Sequence, residues 1–125
     1  MITEQQFSAQ IRELATLLQW ERRYHTWMSK HSTSGFPDWV LLRPPRIIFA
    51  ELKSEHGAAT TTQRQWLDDL ARCPTLEVCL WRPDMIDLIA LYLQPQHPPE
   101  VGPGRWHTPE QRALRAVDAG AWNET

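Results

Sequence analysis

The sequence has little cysteine, little excess charge and no long apolar run, and each scarcity excludes a class of protein. Two cysteines, Cys73 and Cys79, are too few for a disulfide framework or a zinc site of paired cysteines. The formal net charge of -2 argues against a protein that coats nucleic acid by bulk charge, although a local basic patch remains compatible with it. The longest apolar run, residues 85–93, is too short to cross a bilayer and contains Asp87.

The start of the chain is also short of apolar residues. It reads MITEQQ and lacks the cationic and apolar regions of a secretory signal. We therefore expect a soluble cytoplasmic protein with reduced thiols and no membrane partner. A chain of 125 residues is the size of about one domain and is long enough to bury a core without crosslinks.

Hydrophobic spacing predicts a small α/β fold. Thr3 and Gln6 form a candidate capping box for a helix at 3–20. The other predicted elements are strands at 22–28, 38–43, 46–53 and 76–81, and helices at 60–72 and 84–93. The order α-β-β-β-α-β-α is typical of a layered domain, a mixed sheet flanked by helices.

The composition changes after residue 93. Residues 94–109 contain five prolines and two glycines, which favours a linker or an extended arm. We therefore predict a domain at 1–93 and a Pro-rich extension at 94–125, with a short helix at 109–119. Trp106 and Trp122 are candidates to anchor this extension to the domain or to a partner subunit.

Pro44-Pro45 separates two β-rich runs and predicts a hairpin. Symmetric pairing about the prolines sets Arg43 opposite Arg46, and Asp38 opposite Glu51, with about 5 Å between opposed Cβ atoms. Because prolines cannot adopt the positive φ of the usual tight hairpin turn, we expect a loop wider than two residues.

The hairpin gathers charged side chains at one end of the sheet. Glu51 and Lys53 share a strand face, since side chains alternate with period two, and Asp38 faces them. Two close carboxylates repel each other, and a hard divalent cation relieves the repulsion. Glu4 falls on the inward face of the first helix, whereas Glu13 points toward solvent. This is the outline of a site for metal-assisted phosphodiester hydrolysis.

A purely structural interpretation stands beside this one. Asp38 could cap a turn after Pro37, and Glu51 with Lys53 could be an ion pair of an edge strand. Glu4 could simply meet the positive end of the first helix dipole. The residues of the hairpin alone leave both interpretations open.

Four phrases extend the pattern beyond the hairpin: GFPDWVLLRP, FAELKSEHG, TQRQWLDDL and CLWRPDMID. Their types and order resemble the PD-(D/E)XK nuclease superfamily, and more narrowly its VRR-NUC family of small phage-borne or bacterial domains, over residues 3–93. The resemblance implies a restriction-endonuclease-like core and a metal-dependent DNA endonuclease. It also implies that stand-alone members act as homodimers on branched DNA, as Holliday junction resolvases do.

The resemblance assigns roles to individual residues. Asp38, Glu51 and the Leu52 carbonyl would ligate Mg²⁺ or Mn²⁺, and Glu4 would match the family's N-terminal acid. In catalysis, Lys53 would position or activate the attacking water.

The resemblance also places Gln63 near the site, from the helix that follows. Because Gln63 comes after a run of threonines that are good helix caps, an ordinary solvated helix position is the alternative.

Residues 22–37 contain no acidic side chain, so they are a candidate surface for DNA phosphates. The candidate contacts are Arg22, Arg23, His25, Lys30 and His31. The alternative is an ordinary solvated strand and loop.

Two competing functions remain at this stage. One is a catalytically silent DNA-binding scaffold, and the other is a restriction-like nuclease that cuts a fixed duplex sequence.

Overall fold

The structure is a computed structural model that describes residues 1–26, 33–94 and 106. Its helices are α1 (Glu4–Leu17), α2 (Thr61–Ala71) and α3 (Ile86–Tyr92), and a 3₁₀ turn at Pro83–Met85 precedes α3. Its strands are β1 (Arg22–His25), β2 (Trp39–Arg43), β3 (Arg46–Leu52) and β4 (Glu77–Trp81). The predicted order of elements is therefore confirmed. The predicted helix at 109–119 lies outside the described residues.

The four strands form one sheet in the order β1-β2-β3-β4, with β3 and β4 parallel and the other neighbours antiparallel. Arg43 pairs with Arg46 and Trp39 with Ala50, so the predicted hairpin register is correct. The prediction of a loop wider than two residues is wrong. Pro44 and Pro45 alone make the turn, and the bond between them is cis, as in type VI turns, so positive φ is not required.

Helices cover both faces of the sheet. On one face, α1 buries Phe7, Ile11 and Ala15 in a core that also contains Leu41 and Ile48. Residues of α3 belong to the same core. On the other face, Leu67 and Ala71 of α2 pack against Val78, with Trp106 on the same cluster. The result is a three-layer α/β/α arrangement with the sheet in the middle.

Capping boxes fix where α1 and α2 begin. Thr3 Oγ1 accepts the Gln6 N–H, and Gln6 Oε1 accepts the Thr3 N–H. Thr60 and Gln63 repeat both bonds at the start of α2. Each box satisfies two backbone donors that a helix start otherwise leaves unpaired.

A buried ion pair lies where β3 begins. Arg46 Nε and Nη2 donate to the two carboxylate oxygens of Glu77 at 2.8 and 2.7 Å. The guanidinium also lies over the rings of Trp20 and Tyr92 and donates to the Gln94 carbonyl at 2.9 Å. This network ties the beginning of β3 to β4 and to the end of α3.

No helix in the described part of the chain is long and apolar enough to cross a membrane.

Candidate active site

The loop before β2 places Asp38. Gly35 has φ +86°, and a Cβ there would lie 2.6 Å from Thr62 Cγ2, so this position requires glycine. Thr26 then fixes the loop's last residues, because its hydroxyl donates to the Pro37 carbonyl and its N–H donates to the Asp38 carbonyl at 2.8 Å. The loop, α2 and the end of β1 together aim Asp38 at the end of β3.

The structure brings Asp38, Glu51 and Lys53 together, as the hairpin register predicted. Asp38 Oδ2 accepts the Leu52 N–H at 2.8 Å across the hairpin. Glu51 is only 2% exposed, and Lys53 Nζ lies 3.8 Å from Glu51 Oε2. The backbone of Lys53 is held by its N–H bond to the Trp81 carbonyl at 3.0 Å. A buried acid, a second acid and an ammonium therefore share one end of the sheet.

The electrostatics of this cluster are unfavourable. Burial, and then the neighbouring charge of Asp38, raise the pKa of Glu51 to about 8, and Lys53 offsets only part of this shift. Burial also raises the pKa of Asp38, against the opposing hydrogen bond from Leu52. The charge of Glu4 raises the pKa of both acids further. The cluster thus holds more negative charge than the local cations neutralise.

A divalent cation fits this donor set. Among the described residues, Glu51 Oε1 is buried and has no hydrogen-bond donor, which is costly for an ionised carboxylate unless a proton or a cation takes up the charge. Carboxylate and carbonyl oxygens are the ligands that hard cations take. Asp38, Glu51 and the Leu52 carbonyl would hold the ion, which would supply Lewis-acid stabilisation of a phosphate oxygen.

Glu4 is near this set without completing it. Within residues 1–26, 33–94 and 106, no group of three or more His, Cys, Asp or Glu side chains is placed to hold a metal ion. Glu4 instead borders the same cavity as Asp38, at the first turn of α1. Its assignment as a metal ligand stays a prediction.

A cavity of about 400 Å³ opens beside the carboxylates, between α1 and the ends of β1 and β3. Its polar wall consists of Glu4, Gln5, Ser8, Arg12, His25 and Asp38. Leu52 also lines it. The cavity gives solvent and substrate access to the acidic end of the sheet.

The remaining predicted residues lie elsewhere. The Gln63 side chain serves the capping box of α2, where its Oε1 accepts the Thr60 N–H at 2.8 Å, so its role in the site stays a prediction. Arg22 and Arg23 are exposed on β1, and Arg23 donates to the Trp20 carbonyl. Of the three predicted DNA contacts that the structure describes, His25 alone lines the cavity.

Two further predicted contacts, Lys30 and His31, lie outside the described residues.

Sequence reasoning missed the middle of α1. Ser8 and Arg12 line the cavity, and the spacing that placed Glu4 inward should have found them. Residues four and eight positions after Glu4 lie on the same side of a helix.

Of three comparisons with known proteins, one gives a match, and it agrees with this geometry. No curated protein and no solved structure gives a match. The family model described as the VRR-NUC domain matches residues 2–82, which is more than half of the chain and contains the whole acidic cluster. The predicted family is therefore confirmed: this chain belongs to the VRR-NUC family, whose domain is of the nuclease type.

Proposed function

We propose that this protein is a divalent-metal-dependent DNA endonuclease. One observation carries the proposal: among the described residues, a carboxylate oxygen of Glu51 is buried without a partner beside Lys53 and Asp38, and Asp38 lines an open cavity. Burying an ionised carboxylate costs free energy that a bound ligand must offset, and a cation bound together with a phosphodiester would do so. The nuclease-type domain of the family supports the same reaction class.

The residues divide the chemistry as follows. Asp38 and Glu51 would hold the cation, which would supply neutralisation of charge at the attacked phosphate. Lys53 lies 3.8 Å from Glu51 and has donors to spare, so its ammonium orients the attacking water or a phosphate oxygen. Glu51 must give up its proton to bind a cation, since only the ionised carboxylate is a good ligand.

We propose that the preferred substrate is branched DNA and that the protein acts as a homodimer. The support is the resemblance of the chain to stand-alone VRR-NUC domains, together with a general symmetry argument. Two-fold assemblies are the commonest oligomers, and two copies of one small domain suit a symmetrical cut in two strands.

The test is a cleavage panel with Mg²⁺ or Mn²⁺. End-labelled flap, fork, four-way junction and linear duplex substrates of shared sequence are incubated with the protein. We expect cleavage of the branched substrates, and loss of cleavage in Asp38→Ala with DNA binding largely retained. Full turnover by purified Asp38→Ala would refute the site, and equal cutting of the linear duplex would favour the restriction-like alternative.

If no substrate is cut and calorimetry detects no Mg²⁺ or Mn²⁺ binding, the silent scaffold is the correct function. Size-exclusion chromatography with light scattering checks the dimer independently.

A further inference from the structure

In the described part of the chain, Arg12 lacks the polar partners that hold several other arginines, and it differs from Arg64, which also lies over a tryptophan ring, because Arg12 lines the cavity beside Asp38. Arg46 is bound to Glu77, Arg72 lies 3.3 Å from Asp69, and Arg82 donates to backbone carbonyls. Within the described residues, the Arg12 guanidinium has neither an ion pair nor a hydrogen bond to a carbonyl. Its five donors are therefore available to a ligand.

The guanidinium is nevertheless held in place. Arg12 Cζ lies over the Trp39 ring, 5.4 Å from its centroid. The ring itself is fixed, because Trp39 is buried, donates from Nε1 to Ser8 Oγ at 3.0 Å, and stacks on His25 with centroids 4.5 Å apart. Contact with an aromatic face orients a guanidinium without consuming its donors.

Its place relative to the acidic cluster is set by α1. Glu4, Ser8 and Arg12 line one cavity at four-residue spacing, so each step along the helix is about 6 Å. Helical side chains lean toward the N-terminus, which brings the guanidinium back toward Ser8 and the carboxylate end. One cavity thus has acids at one end and a free, oriented guanidinium at the other.

We propose that Arg12, with Ser8 beside it, forms a subsite for a second phosphate of the DNA backbone. This inference rests on the proposed function and extends it. The phosphate at the acidic end is the one that is cut, and Arg12 binds a phosphate further along the same strand. Arginine suits this role because its planar fork can donate two parallel hydrogen bonds to phosphate oxygens.

Such a subsite positions the substrate and does not take part in bond breaking. Holding a second phosphate fixes the direction and register of the strand across the cation site. Arg12 is accordingly a positioning residue, and its loss should raise KM more than it lowers kcat.

The first test measures DNA binding by fluorescence anisotropy in Ca²⁺, with gels to verify that the DNA stays intact, between 50 and 200 mM salt. We expect Arg12→Ala to weaken binding by about 10-fold and to reduce the salt slope by about 0.9, the value for one lost phosphate contact. Arg12→Lys should recover the slope but only part of the affinity. Arg72→Ala is the matched control, since it removes an exposed arginine outside the cavity, and it should leave both unchanged.

The second test replaces single DNA phosphates by neutral methylphosphonates, one linkage at a time. One linkage near the cut should weaken binding by the unaltered protein and have no further effect on Arg12→Ala. Thermal unfolding of the variants shows whether Arg12 merely supports Trp39.

Unchanged affinity and slope in Arg12→Ala, in a protein that still cuts DNA, would overturn the subsite and leave the proposed function intact. The subsite would likewise be overturned if the loss of DNA binding in Arg12→Ala and Arg12→Lys were fully explained by the fraction of each variant that is unfolded. If the unaltered protein bound no DNA, both proposals would fall together.

Discussion

The two ends of β3 both contain a buried charged residue, but only one end is satisfied. Arg46, the first residue of the strand, is 4% exposed, and Glu51, near its end, is 2% exposed. Burial alone would lower the pKa of Arg46, yet the hydrogen bonds and charge of Glu77 raise it. For Glu51, burial and the charge of Asp38 act in the same direction and raise the pKa to about 8.

The difference separates a charge that the fold pairs completely from one that we propose to be functional. At the Arg46 end, the two carboxylate oxygens of Glu77 are both bonded, and the third donation goes to the Gln94 carbonyl. At the Glu51 end, Oε1 has no partner among the described residues, and the Lys53 ammonium lies 3.8 Å from the other oxygen, Oε2. Burial by itself therefore says little about role, whereas an incomplete set of partners next to a cavity indicates a ligand site.

The largest expected effect is on cleavage, at the Glu51 end. Lys53→Met removes the ammonium and keeps an apolar stem, and it should lower kcat by at least about 10²–10³-fold, as loss of a charge-stabilising donor does. The melting temperature should change little, because the contact between Lys53 and Glu51 is long. Single-turnover cleavage and a thermal melt measure the two quantities.

Arg72→Met is the matched control for that substitution. It removes a cation 3.3 Å from a carboxylate on the exposed surface of α2, and cleavage should persist. Equal losses in both variants would show that net charge, and not the position of Lys53, controls the rate.

The opposite pattern is expected at the Arg46 end. Glu77→Ala leaves a buried guanidinium without its partner and should lower the free energy of unfolding by about 3–5 kcal/mol. Urea denaturation measures this loss, and the fraction that remains folded should still cut DNA. The double substitution Arg46→Met/Glu77→Leu removes both charges and should cost much less, whereas a loss as large as that of Glu77→Ala would contradict the pairing argument.

Cation binding should stabilise the protein through the Glu51 end alone. At pH 8 and 100 times the dissociation constant, Mg²⁺ or Mn²⁺ should add about 2.7 kcal/mol to the free energy of unfolding, and a chelator should reverse the gain. A double variant, Asp38→Asn/Glu51→Gln, should show no such gain. An equal gain in that variant would locate the cation elsewhere.

A smaller effect concerns pH in the cation-free protein. The pKa of Glu51 is about 8 in the folded state and near 4.5 when unfolded, so the folded state binds more protons between these values. Its contribution to stability is thus complete below the unfolded pKa and is lost as pH rises through about 8. Glu51→Gln cannot ionise and should be more stable than the unaltered protein at pH 8 by about 1–3 kcal/mol.

The same comparison at pH 4 should show almost no gain, because Glu51 is protonated there in both states. Denaturant titrations in chelator at the two pH values test the sign. A stabilisation by Glu51→Gln that does not depend on pH would mean that packing, and not charge, explains it.

Sequence reasoning located the Glu51 end well, for a physical reason. Alternation with period two and a hairpin centred on Pro44-Pro45 determine that Asp38 faces Glu51 for any symmetric turn between the strands. The length of the turn was predicted wrongly. Two adjacent prolines in a sequence do not reveal whether the bond between them is cis or trans, and here it is cis.

Other features depend on long-range packing. The partner of Arg46 is Glu77, on a strand that follows an intervening helix, and local spacing does not reveal that pairing. Arg12 meets Trp39 only because α1 packs across the sheet. Gln63 shows a different limit, since one residue type suits both a capping box and an active site, and the sequence alone does not choose between them.

The family match ends at residue 82, but the hydrogen bonds that close the core reach further. Trp20 Nε1 donates to the Leu93 carbonyl at 2.8 Å, and Arg46 reaches the Gln94 carbonyl. A fragment that ends at residue 82 would lack the backbone carbonyls that accept hydrogen bonds from Trp20 and Arg46. It would also lack Tyr92, whose ring packs against the Arg46 guanidinium. A fusion protein that carries this domain should therefore include the chain at least through residue 94, because contacts that close the core lie beyond the matched residues.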